Sequence, residues 1–233
     1  MSATNRDTRR PDDDYYATPP WVVDRLLEQL PIGPRYPESW IVDPGCGDGA
    51  IMERIVQAGV QPGFVIGVEN DSARAALARE RFPSATVLDE DYLGDEIPGY
   101  MERRRNGAIH VIGNPPYSHA MEFIKRSMDI ARDGVVCMLL RLAFLETDKR
   151  AAFHREHPAR VFVLPRRPSF CHSFKCKGTH EQPHAEIKFS RSTAVTKCDC
   201  PTCGRRMSKT MSDATAYGWF VWGDSKPGTW EVL

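Results

Sequence analysis

Trp40-Ile41-Val42-Asp43-Pro44-Gly45-Cys46-Gly47-Asp48-Gly49 is a short apolar strand that runs into a turn with three glycines in five residues. Glycine reaches positive φ without a side-chain clash and lets a ligand come close to the backbone. Ala50 to Val56 follows with helical spacing, and Gly59 stops it. Strand, glycine turn and helix together open a nucleotide-binding α/β unit. Working outward, apolar runs predict strands at Phe64–Val68, Ala85–Leu88, Ala108–Gly113, Val135–Leu140 and Val161–Leu164. Helical spacing appears at Trp21–Leu30, Met121–Ala131 and Asp148–His157. This alternation predicts a mainly parallel sheet with helices on both faces.

The charges at the strand ends narrow the ligand. Asp43 and Asp48 stand where a dinucleotide would put its pyrophosphate. Acid repels phosphate but suits the amino group and sulfonium of S-adenosylmethionine. Glu69 ends the second strand, where an acid can hold a ribose diol, and Asp89-Glu90-Asp91-Tyr92 follows the third. Asn114-Pro115-Pro116-Tyr117 follows the fourth. Two prolines can neither continue a strand ladder nor sit inside a helix, so the chain holds a fixed turn there. That turn offers the Asn114 oxygen and the Pro115 carbonyl to an NH2 group and a Tyr117 ring to stack on it. The set suits methylation of a planar amine.

On these motifs the chain resembles the class I S-adenosylmethionine-dependent amino-methyltransferases of DNA, over residues 15 to 170 and again at the C-terminus. The resemblance implies a Rossmann-like, seven-stranded sheet with helices on both faces. It gives Asp43, Pro44, Gly45 and Gly47 to the methionine moiety, Glu69 to the ribose and Asp91 to the adenine amino group of the cofactor, with Asn70 and Tyr92 also in the cofactor site. Tyr16, Thr18 and Pro19 resemble the family's cofactor-flanking motif. Asn114, Pro115, Pro116 and Tyr117 resemble the catalytic motif, with Asn114 also beside the cofactor. Placing the flanking motif first and the catalytic motif last matches the gamma group of N6-adenine methyltransferases. Phe170 and Arg167 fall where the family receives the flipped base. No Pro-Cys nucleophile motif of the C5-cytosine enzymes occurs. His119 is read as a loop residue, since an adenine amine attacks without prior deprotonation.

The remaining chain carries a second signal. Five of the seven cysteines, Cys171, Cys176, Cys198, Cys200 and Cys203, fall within a polar stretch that also contains His172, His180 and His184. Cys200-Pro201-Thr202-Cys203-Gly204 has the form of a zinc knuckle, in which a tight turn aims two thiolates at one ion. With Cys171 and Cys176, or Cys176 and His180, as the first pair, a structural zinc ion would supply folding energy that this stretch cannot draw from an apolar core. Free buried thiols are the alternative, and they are the reading adopted for Cys46 and Cys137. From Arg160 to Met211 there are eleven basic and three acidic residues, a surplus of eight in a chain of zero net charge. Arg205 and Arg206 in this stretch are expected to meet DNA phosphates.

The expected organisation is a polar tail over 1–14, a catalytic domain over 15–170, a basic zinc insert over 171–211 and a return to the sheet over 212–233. With 41% hydrophobic residues the chain can build one core. No apolar run approaches the ~20 residues that span a bilayer. A cytoplasmic monomer or homodimer is expected. Two other substrates stay open: RNA, and a protein glutamine amide, whose methyltransferases share Asn-Pro-Pro-Tyr but usually carry an N-terminal helical domain that is not expected here.

Overall fold

The computed structural model describes residues 17–30, 39–103, 107–168, 197–199, 206–208 and 215–233. The helices are α1 (Pro20–Leu27), α2 (Ala50–Gln57), α3 (Ser72–Arg81), α4 (Glu96–Glu102), α5 (Ala120–Ile130) and α6 (Asp148–Glu156). The strands are β1 (Trp40–Pro44), β2 (Val65–Glu69), β3 (Thr86–Asp89), β4 (Ile109–Gly113), β5 (Val136–Arg141) and β6 (Arg160–Val163). They continue with β7 (Lys197–Asp199), β8 (Arg206–Ser208), β9 (Tyr217–Trp222) and β10 (Trp230–Val232). Eight of them form one sheet in the order β10-β6-β9-β5-β4-β1-β2-β3. Every pairing is parallel except those of β9, which runs antiparallel between β5 and β6. The expectation of seven strands is exceeded by β10, which adds to the outer edge of β6. Arg160 holds it there, donating to Asp224 at 2.7 Å and to Glu231.

Local chemistry explains where the elements start and stop. The side chain of Asp71 accepts from the Arg74 N–H at 2.9 Å and caps α3. Pro20 opens α1 at a position where its missing N–H removes no helical bond. That helix ends at Leu27, shorter than the apolar spacing suggested. β2 and β4 are buried along their whole length, because helices cover both faces of the sheet. One apolar cluster packs α1, α2 and α3 on the sheet around Met52, Phe162, Tyr217 and Trp219. The other packs α4, α5 and α6 around Ile124, Met138, Phe220 and Trp222. Among the described residues no helix is long and apolar enough to cross a membrane.

Parallel pairing sends β1 to β5 out at the same edge. Because β9 is antiparallel, its first residue, Tyr217, arrives at that edge too, opposite Arg141 at the end of β5. The smaller sheet pairs β7 with β8 antiparallel, with Cys198 opposite Met207. These two strands bracket residues 200–205.

Candidate active site

A cavity of about 340 Å3 opens at the C-terminal ends of β1 to β4. Thr18, Asp43, Gly45, Glu69, Asn70, Asp91, Tyr92, Asn114 and Pro116 line it, so residues spread over a hundred positions meet in one place. Pro19, Pro44, Gly47, Pro115 and Tyr117 stand behind or beside this lining and are not part of it. Tyr16, Phe170, Arg205 and the proposed metal ligands Cys171, Cys176, Cys200 and Cys203 lie outside the described residues. Arg206 is described in its backbone alone, within β8. Arg167 is exposed just after β6. Among the described residues no group of His, Cys, Asp and Glu is placed to hold a metal ion.

The glycine turn is held by main-chain bonds and by side chains from the neighbouring elements. The N–H groups of Gly45 and Cys46 both donate to the Val68 carbonyl, at 2.7 and 2.9 Å. Gly45, Gly47 and Gly49 all take positive φ. The Gly47 N–H donates to Glu69 Oε2 at 2.8 Å and so helps to fix a carboxylate that lines the cavity. Glu69 Oε1 accepts from the Asp71 N–H at 2.9 Å and from Arg74. One carboxylate thereby joins the turn after β1 to the start of α3.

Asp43 is different. It is 1% exposed, and neither carboxylate oxygen has a hydrogen-bond partner. Burial, with Glu69 and then Asp48 nearby, pushes its carboxyl well above the usual carboxylate range. A buried acid aimed into a cavity without a partner suits a cationic ligand, and the ammonium or sulfonium of S-adenosylmethionine fits that requirement.

The catalytic turn is fixed from both ends. Asn114 Nδ2 donates to Thr18 Oγ1 at 3.2 Å, and Asn114 Oδ1 accepts from the Tyr117 hydroxyl at 3.2 Å. The Tyr117 ring packs near Tyr217 at 5.9 Å between centroids, with the Arg141 guanidinium 4.9 Å from its own centroid. The ring thus faces the β5 and β9 side, and Asn114 alone of that pair faces the cavity.

Sequence patterns miss several lining residues. Arg74, Ser118, His119 and Phe123 line the cavity, and so does Cys46, whose tight-turn context suggests only packing. Phe123 lies on α5 and packs against Tyr92 at 5.1 Å. Its position one helical turn after His119 is the available signal. Arg141 and Tyr217 give none, since only sheet pairing brings them together.

No protein-family model matches this sequence. It is similar to the ribosomal RNA small subunit methyltransferase A of Chlorobium limicola, 30% identical over 96 residues, which cover 41% of this chain and 34% of that protein. The chain spans about a third of the length of that relative. The structure is similar to the type I restriction-modification system methyltransferase subunit from Streptococcus thermophilus, with a TM-score of 0.59 and 13% identity over 93% of this chain and 46% of that one. It is also similar to the 23S rRNA methyltransferase ErmE, with a TM-score of 0.53 and 14% identity over 92% of this chain and 72% of that one. Strand order, the antiparallel β9 and these likenesses agree: the fold is the Rossmann-like fold of class I methyltransferases.

Proposed function

We propose that this protein is an S-adenosylmethionine-dependent methyltransferase that acts on the N6 amino group of adenine in DNA, with the base rotated out of the stack. One observation carries the reading: a single cavity holds a buried acid with no partner and the amide of an Asn-Pro-Pro-Tyr turn. Asp43 would meet the positive charge of the cofactor, Glu69 its ribose, and Asp91 its adenine amine. Bound there, S-adenosylmethionine supplies an electrophilic methyl group.

Asn114 Oδ1 and the Pro115 carbonyl accept the hydrogens of the target amine and orient its lone pair toward that methyl group. They also stabilise the positive charge that grows on nitrogen during attack. The proton lost afterwards leaves to water. The restriction-modification likeness and the basic stretch from Arg160 to Met211 support DNA. The match to ribosomal RNA methyltransferases supports RNA as the second reading. Spacing alone supports a structural zinc ion at Cys171, Cys176, Cys200 and Cys203.

The test is transfer of labelled methyl to duplex DNA, RNA and a protein extract in parallel. Label recovered as N6-methyladenine in DNA is expected, with Asn114→Ala lowering kcat by about 10²-fold or more and leaving cofactor binding intact. Label confined to RNA selects the second reading. Label in protein alone, or none at all, overturns both.

A further inference from the structure

An amide catalyst works only if its oxygen, and not its NH2 group, faces the substrate. Asn114 is held between two hydroxyls, Thr18 Oγ1 and Tyr117 Oη, each 3.2 Å away. Either hydroxyl can donate or accept, so distance alone does not choose the orientation. Chemistry does. A phenol gives up lone-pair density to its ring, so it donates better and accepts worse than an alkyl alcohol. Arg141 strengthens this bias, since its guanidinium lies over the Tyr117 ring and draws further density from the phenol.

We propose that Thr18 and Arg141 are positioning residues that set the Asn114 amide, Thr18 by accepting from Nδ2 and Arg141 by making Tyr117 the donor to Oδ1. The Tyr117 hydroxyl then takes one lone pair of Oδ1 and leaves the second for the target amine. The arrangement is built into the fold. Thr18 is only 4% exposed and lies just before α1, whose Val22 carbonyl accepts from Trp219 Nε1 on β9 at 2.9 Å. Arg141 ends β5, and its Nε donates to the Tyr217 hydroxyl at 3.2 Å. Both settings therefore hang on β9, the antiparallel strand. This gives Thr18 a role toward Asn114 beyond the cofactor contact expected from its motif, and it gives Arg141 a role that no motif assigned.

The catalytic consequence rests on the methyltransfer reading, but the orientation does not. In protein labelled with 15N-asparagine, nuclear Overhauser contacts from the Asn114 NH2 should reach the Thr18 side chain and not the Tyr117 ring. Contacts to the Tyr117 ring would overturn the proposal whether or not the protein methylates anything. For activity, Thr18→Val removes the acceptor while keeping the shape. It should lower kcat by about 10²-fold, the scale set by a misplaced catalytic group, with little change in cofactor Kd. Thr18→Ser should recover most of that loss. Arg141→Met should lower kcat in the same direction and weaken the Thr18 contacts in the spectrum. Unchanged kcat in Thr18→Val, or a Ser variant as poor as the Val variant, would sink the positioning role in an otherwise active enzyme. Should Thr18→Val fail to fold, Arg141→Met and the wild-type spectrum still decide.

Discussion

At the scale of single residues, Asp43 shows the tension between stability and binding. A carboxyl whose native pKa is raised holds its proton over a range in which the unfolded chain has already released it. Between the ordinary carboxylate value and the raised one, the folded state binds more protons, so stability falls as pH rises through that window. Asp43→Asn removes this penalty. The ligand-free variant should melt higher than wild type at neutral pH, by about 2–4 °C for each kcal/mol relieved, and its melting temperature should change less between acid and neutral pH. The same variant should bind S-adenosylmethionine more weakly, because it lacks the carboxylate that, once deprotonated, would meet the positive charge of the ligand. Thermal melting and calorimetry across pH check both halves. A lower melting temperature with unchanged affinity would move the cationic subsite elsewhere.

At the scale of elements, the site depends on how closely neighbouring strand ends approach. A Cβ on Gly113, the last residue of β4, would lie 2.8 Å from Pro44 Cδ and 2.9 Å from Cγ at the end of β1. The proline ring has little freedom to move, so the two strand ends would have to separate. Gly113→Ala should cost about 1–3 kcal/mol, the usual range for overpacking a filled core, read from the urea midpoint. It should also lower kcat, because Asn114 is the next residue and moves with the strand. An unchanged midpoint would show that the strand ends can part freely. The close approach was not legible in the sequence. Gly113 reads there as one more residue of an apolar run, and Pro44 as part of a separate motif.

At the scale of the molecule, charge is graded along the working edge of the sheet. Asp43 is the next-to-last residue of β1, Glu69 and Asp89 end β2 and β3, while Arg141 ends β5 and Arg166 and Arg167 follow β6. The acidic side suits a cationic cofactor and the basic side an anionic substrate. The basic residues of the stretch bracketed by β6 and β9 extend this field in sequence. Replacing Arg205, Arg206 and Lys209 with Ala should weaken DNA binding and reduce its salt slope by about 0.9 for each phosphate no longer neutralised, with cofactor affinity unchanged. An unaltered slope would place the DNA-binding surface elsewhere. Elemental analysis of protein prepared without chelator should find about one zinc per chain. Absence of zinc with seven titrating thiols would leave the cysteines without a metal role.

Much of the fold could be read from the chain because its signals are local. Apolar runs, the Gly45–Gly49 turn and the proline pair at Pro115 and Pro116 act within a few residues, through backbone sterics and burial. The same holds for the acids at the ends of β1 to β3, whose positions follow from strand alternation. What the sequence could not determine is everything that depends on which strands become neighbours. The placement of β9 between β5 and β6 brings Tyr217 to Arg141 and Trp219 to Val22. The packing of the segment before α1 against β4 brings Thr18 to Asn114. These contacts join residues up to 197 positions apart. Side-chain chemistry states what each residue can do, but only the completed sheet decides which residues meet.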